Sequence, residues 1–330
     1  MRVSLIVNPM ASSVSPATID AIVDALALRH DLEVVATTAR GDASSIARAI
    51  AGAGVEVVVV LAGDGTLNEA AQGLVGTDTA LAPLPGGSTN VFARALGIEF
   101  TPLDACAQLI GSLDAGRRRR IGVGAAADGD ATRHFLFHLG IGFDAAVVRE
   151  MEERHAHLKR VHLAHPAFAV AAVGTWARRY ERDTRIDVTA ASSRSGTAVV
   201  TPAAHEARGP YVVVSNCDPY TYVGHRPVTI APEAGLERAL AVTTFRSLDL
   251  PLLARAGTSG LGQARFLAAS PDIAQFADIG HVSLTCDRPT PWQVDGDHLG
   301  STTHLEVRYE PDCLTLLTPA TPRARGRARR

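Results

Sequence analysis

Apolar positions in the first hundred residues fall into short solid runs, each followed by a stretch with helical spacing. Arg2–Val7 is the first run, Leu32–Thr37 the second, and Val57–Leu61 a third that is apolar throughout. A run with no polar face suits a strand buried on both sides, as in a parallel sheet covered by helices. Between the runs, Ile19, Ile22, Val23 and Leu26 recur at helical spacing, and Gly41-Asp-Ala-Ser-Ser-Ile-Ala-Arg starts a second helix capped by Asp42 or a nearby serine. Three such β-α units before Gly97 predict an α/β fold with an open, doubly wound, mostly parallel sheet.

Past about Arg120 the texture changes. Short β-rich segments follow at Ile121–Ala125, His134–Gly140, Arg185–Ala190, Ala198–Thr201, Tyr211–Asn216, Val228–Ala231, Leu240–Phe245 and His281–Cys286. Turn residues separate them, which predicts an antiparallel, β-sandwich-like second domain. One helical region, Ala145–Tyr180, interrupts it, and Thr303–Tyr309 and Cys313–Leu317 read as paired strands. A length of 330 residues accommodates two such domains.

Chemistry first shows where the third run ends. Ala62-Gly-Asp-Gly-Thr-Leu-Asn-Glu follows it directly, so Gly63 and Gly65 let the backbone approach a ligand, while Thr66 and Asn68 open a helix with free N–H groups. That is a site for an anion, most simply a phosphate. A second copy follows: Ala80–Pro85, then Gly86-Gly-Ser-Thr-Asn90, then helical Val91–Leu96. Two glycine-rich loops at the ends of neighbouring parallel strands enclose one crevice. Neither is a Walker A loop, which needs a lysine, and Asn68 stands where a dinucleotide loop has its third glycine.

Three blocks carry a resemblance: Ala62-Gly-Asp-Gly-Thr-Leu-Asn-Glu-Ala, Pro85-Gly-Gly-Ser-Thr-Asn-Val-Phe-Ala-Arg-Ala-Leu-Gly97 and Val294-Asp-Gly-Asp-His-Leu-Gly300. Their order and content resemble the signature blocks of the diacylglycerol kinase catalytic family, which includes bacterial diacylglycerol kinases and sphingosine kinases. The resemblance implies an ATP-dependent lipid kinase that acts on diacylglycerol or a similar lipid alcohol and uses Mg²⁺. It implies a nucleotide-binding domain over residues 1–120 plus about 303–322, and a lipid-substrate domain over 121–302. At the nucleotide it puts Asn8, Pro9, Thr37, Ala62, Gly63, Asp64, Gly65, Thr66, Leu67, Asn68, Gly87, Ser88, Thr89 and Asn90.

Phosphoryl transfer needs the terminal oxygens held in line, a divalent ion, and a carboxylate to accept the alcohol's proton. Asp64 is the residue expected at nucleotide-bound Mg²⁺. Asp295 and Asp297, at i and i+2 in an extended stretch, share one face, and Gly296 lets the backbone bend. The family usually has Asp-Gly-Glu here, so Asp297 inherits the base by position, with Asp295 able to share the task. Other departures are Ala62 for a glycine, Val91 for an aspartate, and Arg238 where bacterial relatives have an aspartate at an accessory structural Mg²⁺. A guanidinium cannot ligate a cation, so that accessory site is expected to be absent, with an arginine ion pair in its place. Other readings are a kinase of a sphingoid base or soluble alcohol, and a non-catalytic nucleotide-binding relative.

A net charge of −2 gives no global pull toward nucleic acid. Local positive charge sits in Arg117–Arg120 and in a basic tail, residues 323–330, which read either as solvated segments or as attachment to an anionic membrane surface. The cysteines Cys106, Cys217, Cys286 and Cys313 read as buried reduced thiols, and no apolar run reaches a membrane span. A cytoplasmic protein, peripheral at the inner membrane surface, is expected, as is a possible homodimer. Ala164–Trp176 either packs on the sandwich or lines an acyl-chain cleft. His155, His157, His162 and His165 lie beside Arg154, Lys159 and Arg160, and read as a solvated helix face rather than a metal site.

Overall fold

The computed structural model describes residues 1–160, 174–175, 184–193, 205–262 and 264–319. Outside that range lie the basic tail, the expected strand Ala198–Thr201, most of Ala164–Trp176, and His162 and His165; the side chains of His155 and His157 fall outside it too. The solid apolar runs become β1 (Arg2–Val7), β2 (Asp31–Ala36), β3 (Val57–Ala62) and β4 (Ala80–Pro85). They pair in parallel in the order β4-β3-β1-β2. The valine-rich β3 has no polar face because it serves two cores. Val58 and Val60 pack under α2 (Asp42–Gly52) and α3 (Asp64–Leu74), whereas Val57, Val59 and Leu61 pack under α1 (Pro16–Ala27) and α5 (Pro102–Asp114). Between β4 and α5 lies the five-residue α4 (Val91–Ala95).

Ser15 caps α1, its hydroxyl accepting from the Thr18 N–H, with Pro16 at the first helical position. For α2 the cap is Gly41 in a left-handed conformation, φ +91°, rather than Asp42 or a serine. The Asp42 carboxylate instead turns back to accept from the N–H groups of Thr38 and Ala39, both at 2.8 Å, fixing the turn after β2. Two prolines sit in β4, where a central strand should exclude them. Beyond β3, though, β4 is covered only at Ala80 and Leu81, so a missing donor at Pro83 or Pro85 leaves no ladder bond broken on that side.

The second domain is built on β5 (Arg118–Asp128), β6 (Ala131–Phe135), β7 (His138–Gly142), α6 (Phe143–Arg160), β8 (Ile186–Ser192), β9 (His205–Gly209), β10 (Tyr211–Ser215), β11 (Thr221–Val223), β12 (Arg226–Val228), β13 (Leu240–Phe245), α7 (Leu250–Gly260), α8 (Arg265–Ala269), β14 (Ile273–Val294) and β15 (Asp297–Leu317). Its strand pairings are antiparallel. Strand β14 is far longer than the expected His281–Cys286. Its Ile273–Ile279 end pairs with β13 and its Trp292–Val294 end with β7, while β10 joins β7 to β13, so the strands curl around one apolar core.

The expected strand His134–Gly140 is two strands. Between them the N–H groups of Leu136 and Phe137 point at the Asp295 carboxylate instead of a ladder partner. Likewise Val228–Ala231 is a strand only to Val228, and α5 and α7 are helices that the apolar pattern did not announce. Strand β15 returns to the first domain, where Thr315 and Leu316 pair in parallel with Ala80 and Leu81. One sheet thereby runs through both domains.

Arg118, Arg119 and Arg120 are each paired: with Glu56, with Glu237, and with Asp78 plus the Asp312 carbonyl. All four cysteines are free, and all but the half-buried Cys313 are buried. Among the described residues no helix is long and apolar enough to cross a membrane.

Candidate active site

Three loops meet at the carboxyl ends of β1, β3 and β4. Asn8 opens the first: its Nδ2 donates to Thr66 Oγ1 at 3.0 Å, and its Oδ1 accepts from the Met10 N–H, as in an Asx-turn. Ser13 in the same loop donates its N–H to the Gly86 carbonyl and its hydroxyl to the Gly87 carbonyl. The two glycine loops then pack backbone on backbone. A Cβ on Gly87 would lie 2.7 Å from Gly63 Cα, and one on Gly86 2.9 Å from Ala62 Cα. These glycines thus serve loop-to-loop approach before any ligand. Asn90, left-handed at φ +50°, closes the second loop by accepting from the Gly87 N–H and donating to its carbonyl, both at 2.8 Å. Because the clash at Gly87 is with backbone, Gly87→Ala is expected to destabilise the fold by about 1–3 kcal/mol, read as a lower urea midpoint.

Asp64 joins the loops from the other side. Its carboxylate accepts from the Val91 N–H at 2.9 Å and the Phe92 N–H at 3.1 Å, capping α4, while no side chain caps α3 itself. Burial pushes the Asp64 carboxyl up to about 6, against the pull of those two donors; the charge of Asp297 adds to the rise. Ser88 and Thr89 are half-buried, and their hydroxyls have no hydrogen-bond partner among the described residues.

The second domain meets these loops through α3. Gly65, Asn68 and Gln72, spaced on one helix face, all touch it. Gln72 exchanges hydrogen bonds with the His134 backbone at 2.9 and 3.0 Å. Asn68 is buried and donates to the His134 carbonyl at 3.0 Å and to Asp295 Oδ2 at 2.7 Å. Asp295 and Gly296 form the two-residue turn between β14 and β15, both with positive φ, +48° and +82°, as an Asp-Gly hairpin turn requires. The buried Asp295 carboxylate accepts from Asn68 and from the N–H groups of Leu136, Phe137 and His138 at 2.7–3.0 Å. Burial raises its pKa to about 7 against those four donors. The Gly296 N–H donates to Gln293, which is bonded in turn to the buried Asp144 held by Tyr220.

Asp297, two residues on, projects the other way. A Cβ on Gly65 would lie 3.3 and 3.4 Å from its carboxylate oxygens, so the carboxylate sits directly at the head of α3. Arg40 from the loop after β2 and Arg133 from β6 flank it at 3.6 and 4.0 Å.

Of the residues singled out from the sequence, Asn8, Ala62 to Thr66, Gly87 to Asn90 and Asp297 therefore converge on one crevice. Thr37 lies in the neighbouring loop, its N–H on the Val7 carbonyl, and Pro9 is exposed. Leu67 points into the core, and the side chains of Asn68 and Asp295 are spent on joining the domains. Arg238 forms a two-pronged pair with Asp278 and a further bond to Glu233. Sequence reading missed Arg40 and Arg133: a lone arginine in a loop and another in a short strand carry no local signal, and only the fold brings them together.

Residues 2–125 match the family described as the diacylglycerol kinase catalytic domain. Over that stretch the chain is similar to diacylglycerol kinase catalytic domains. The match covers the three loops of the crevice and ends before Arg133, Asp295 and Asp297. Among curated relatives, a diacylglycerol kinase of Bacillus subtilis is 41% identical over 71 residues, 21% of this chain and 23% of that one. A protein of Chromohalobacter salexigens named "Probable lipid kinase YegS-like" is 34% identical over 136 residues, 40% of each. The aligned stretches thus span well under two thirds of these relatives. Solved structures share the fold over nearly the whole length. The structure of a diacylglycerol kinase from Bacillus anthracis superposes with a TM-score of 0.68 at 20% identity, covering 97% of both chains. An NAD kinase from Archaeoglobus fulgidus in complex with ATP superposes at 0.51 and 10% identity, covering 97% of this chain and 94% of that one.

Proposed function

We propose that this chain is an ATP-dependent lipid kinase that transfers the γ-phosphoryl group to the hydroxyl of diacylglycerol or a similar lipid alcohol. Residues 1–120 and about 303–322 form the nucleotide-binding part, and 121–302 the lipid-binding part. One observation carries the reading: the Asp297 carboxylate reaches from the second domain to Gly65, at the uncapped head of α3 in the catalytic domain. An uncapped helix head offers N–H groups and partial positive charge to phosphate oxygens, and the hydroxyls of Ser88 and Thr89 can donate beside it. The acceptor alcohol attacks phosphorus, forming an O–P bond as the bond to the bridging oxygen breaks. Its proton passes to Asp297, and ADP leaves.

ATP as the donor is supported by the shared fold of the ATP-bound NAD kinase structure, and a lipid acceptor by the names of the relatives. Mg²⁺ fits the residues present. Asp64 is a hard oxygen donor at the crevice, and its raised carboxyl is one that gains by meeting a cation. When bound, the ion neutralises phosphate charge. The enzyme would visit the membrane from the cytoplasm to reach its acceptor.

Because only ionised Asp64 can hold the cation, lowering the pH through about 6 is expected to weaken MgATP binding, and raising it to restore binding. Calorimetric titration of MgATP across that range checks this. The activity itself is tested with labelled ATP, Mg²⁺ and a panel of dispersed diacylglycerol, a sphingoid base and glycerol. Label moving to diacylglycerol is the expected result. ATP binding without transfer to any acceptor would overturn the reading.

A further inference from the structure

The nucleotide cradle is short of positive charge. Neither glycine loop contains a lysine, although a triphosphate must be neutralised as its terminal group transfers. Two cations at the crevice, Arg40 and Arg133, approach the Asp297 carboxylate from opposite domains, one guanidinium nitrogen toward Oδ1 at 3.6 Å and the other toward Oδ2 at 4.0 Å. Both distances exceed a hydrogen bond, so these are loose pairs, easily exchanged for a better partner. Arg133 has capacity to spare: its Nε is buried with no hydrogen-bond partner among the described residues. The third positive feature is the head of α3, with Gly65 against the same carboxylate. Three features that select an anion thus surround one carboxylate, the geometry a terminal phosphate would require.

We propose that Arg40 and Arg133 are the residues that take the terminal phosphate of the nucleotide, and that Asp297 occupies their place until the nucleotide arrives. The inference rests on the kinase reading above. A guanidinium binds phosphate through paired, charge-assisted bonds, which are shorter and stronger than the loose contacts to Asp297. Arrival of the γ-phosphate therefore transfers both arginines to it and frees Asp297.

The test is calorimetric binding of MgATP and MgADP to the full chain and to R40Q, R133Q, R40Q/R133Q and D297N. The double variant is expected to lose roughly tenfold or more in MgATP affinity and much less in MgADP affinity, since only ATP carries the terminal phosphate. The D297N variant, which removes the competing charge, is expected to bind MgATP more tightly than the wild type. A double variant with an unchanged ATP-to-ADP affinity ratio would overturn the proposal while leaving the kinase reading intact. So would weaker MgATP binding by D297N. A wild-type chain that binds neither nucleotide would overturn both. R40Q, altering a side chain that is 62% exposed, keeps the test independent of folding defects.

Discussion

Asp297→Ala is expected to lower turnover by roughly 10²–10⁴-fold, the range in which general base catalysis contributes. Its affinity for MgATP should not fall. The side chain is 21% exposed and, among the described residues, makes only the loose pairs with Arg40 and Arg133 and no hydrogen bond that supports the hairpin. Folding stability should therefore change by less than about 1 kcal/mol. Steady-state rates with saturating ATP, set beside a urea melt, separate the loss of the base from any loss of structure. A variant that turns over at the wild-type rate would remove Asp297 from the chemistry.

Asp295→Ala should do the opposite: act on stability first. Its carboxylate is the shared acceptor for four donors, three of them backbone N–H groups from the break between β6 and β7 and the first residue of β7, and the fourth the Asn68 amide of the first domain. Truncation leaves the three N–H groups in a buried site without an acceptor and Asn68 with the His134 carbonyl as its remaining one. Unsatisfied buried donors cost about 1–3 kcal/mol each and do not add fully, so a loss of at least about 4 kcal/mol is expected. Asparagine should rescue little, because its amide nitrogen would face donors rather than acceptors. Urea midpoints of the two variants and the wild type test this. If Asp295→Ala melts like the wild type, Asp295 does not hold the domains together.

These neighbouring carboxylates show where reading the chain succeeded and where it stopped. The β-α order of the first domain was legible because β3 and β4 are apolar without interruption, and a strand serving two cores leaves that trace. The crevice was legible because glycine is demanded at Gly86 and Gly87 by backbone contact. The i, i+2 spacing said that Asp295 and Asp297 share a face of an extended strand. In the folded chain a turn with two positive φ values falls between them and sends them apart, one into the junction and one into the crevice. Asn68 and Asp295 stand 227 residues apart, and no local pattern ties them together. The same holds for Arg40 and Arg133, which meet only once the domains are joined. In contrast, the expected arginine ion pair at Arg238 exists, with Asp278 and Glu233 as partners, since a guanidinium near carboxylates has little else to do.

The most direct measurement is a crystal structure of the wild-type chain with Mg²⁺ and a non-hydrolysable ATP analogue. The account predicts the terminal phosphate at the head of α3, within reach of the Gly65 N–H and the Ser88 and Thr89 hydroxyls, with the Asp297 carboxylate facing it across the crevice. A triphosphate bound away from the 63–66 and 86–90 loops, or one with Asp297 turned from it, would contradict the account.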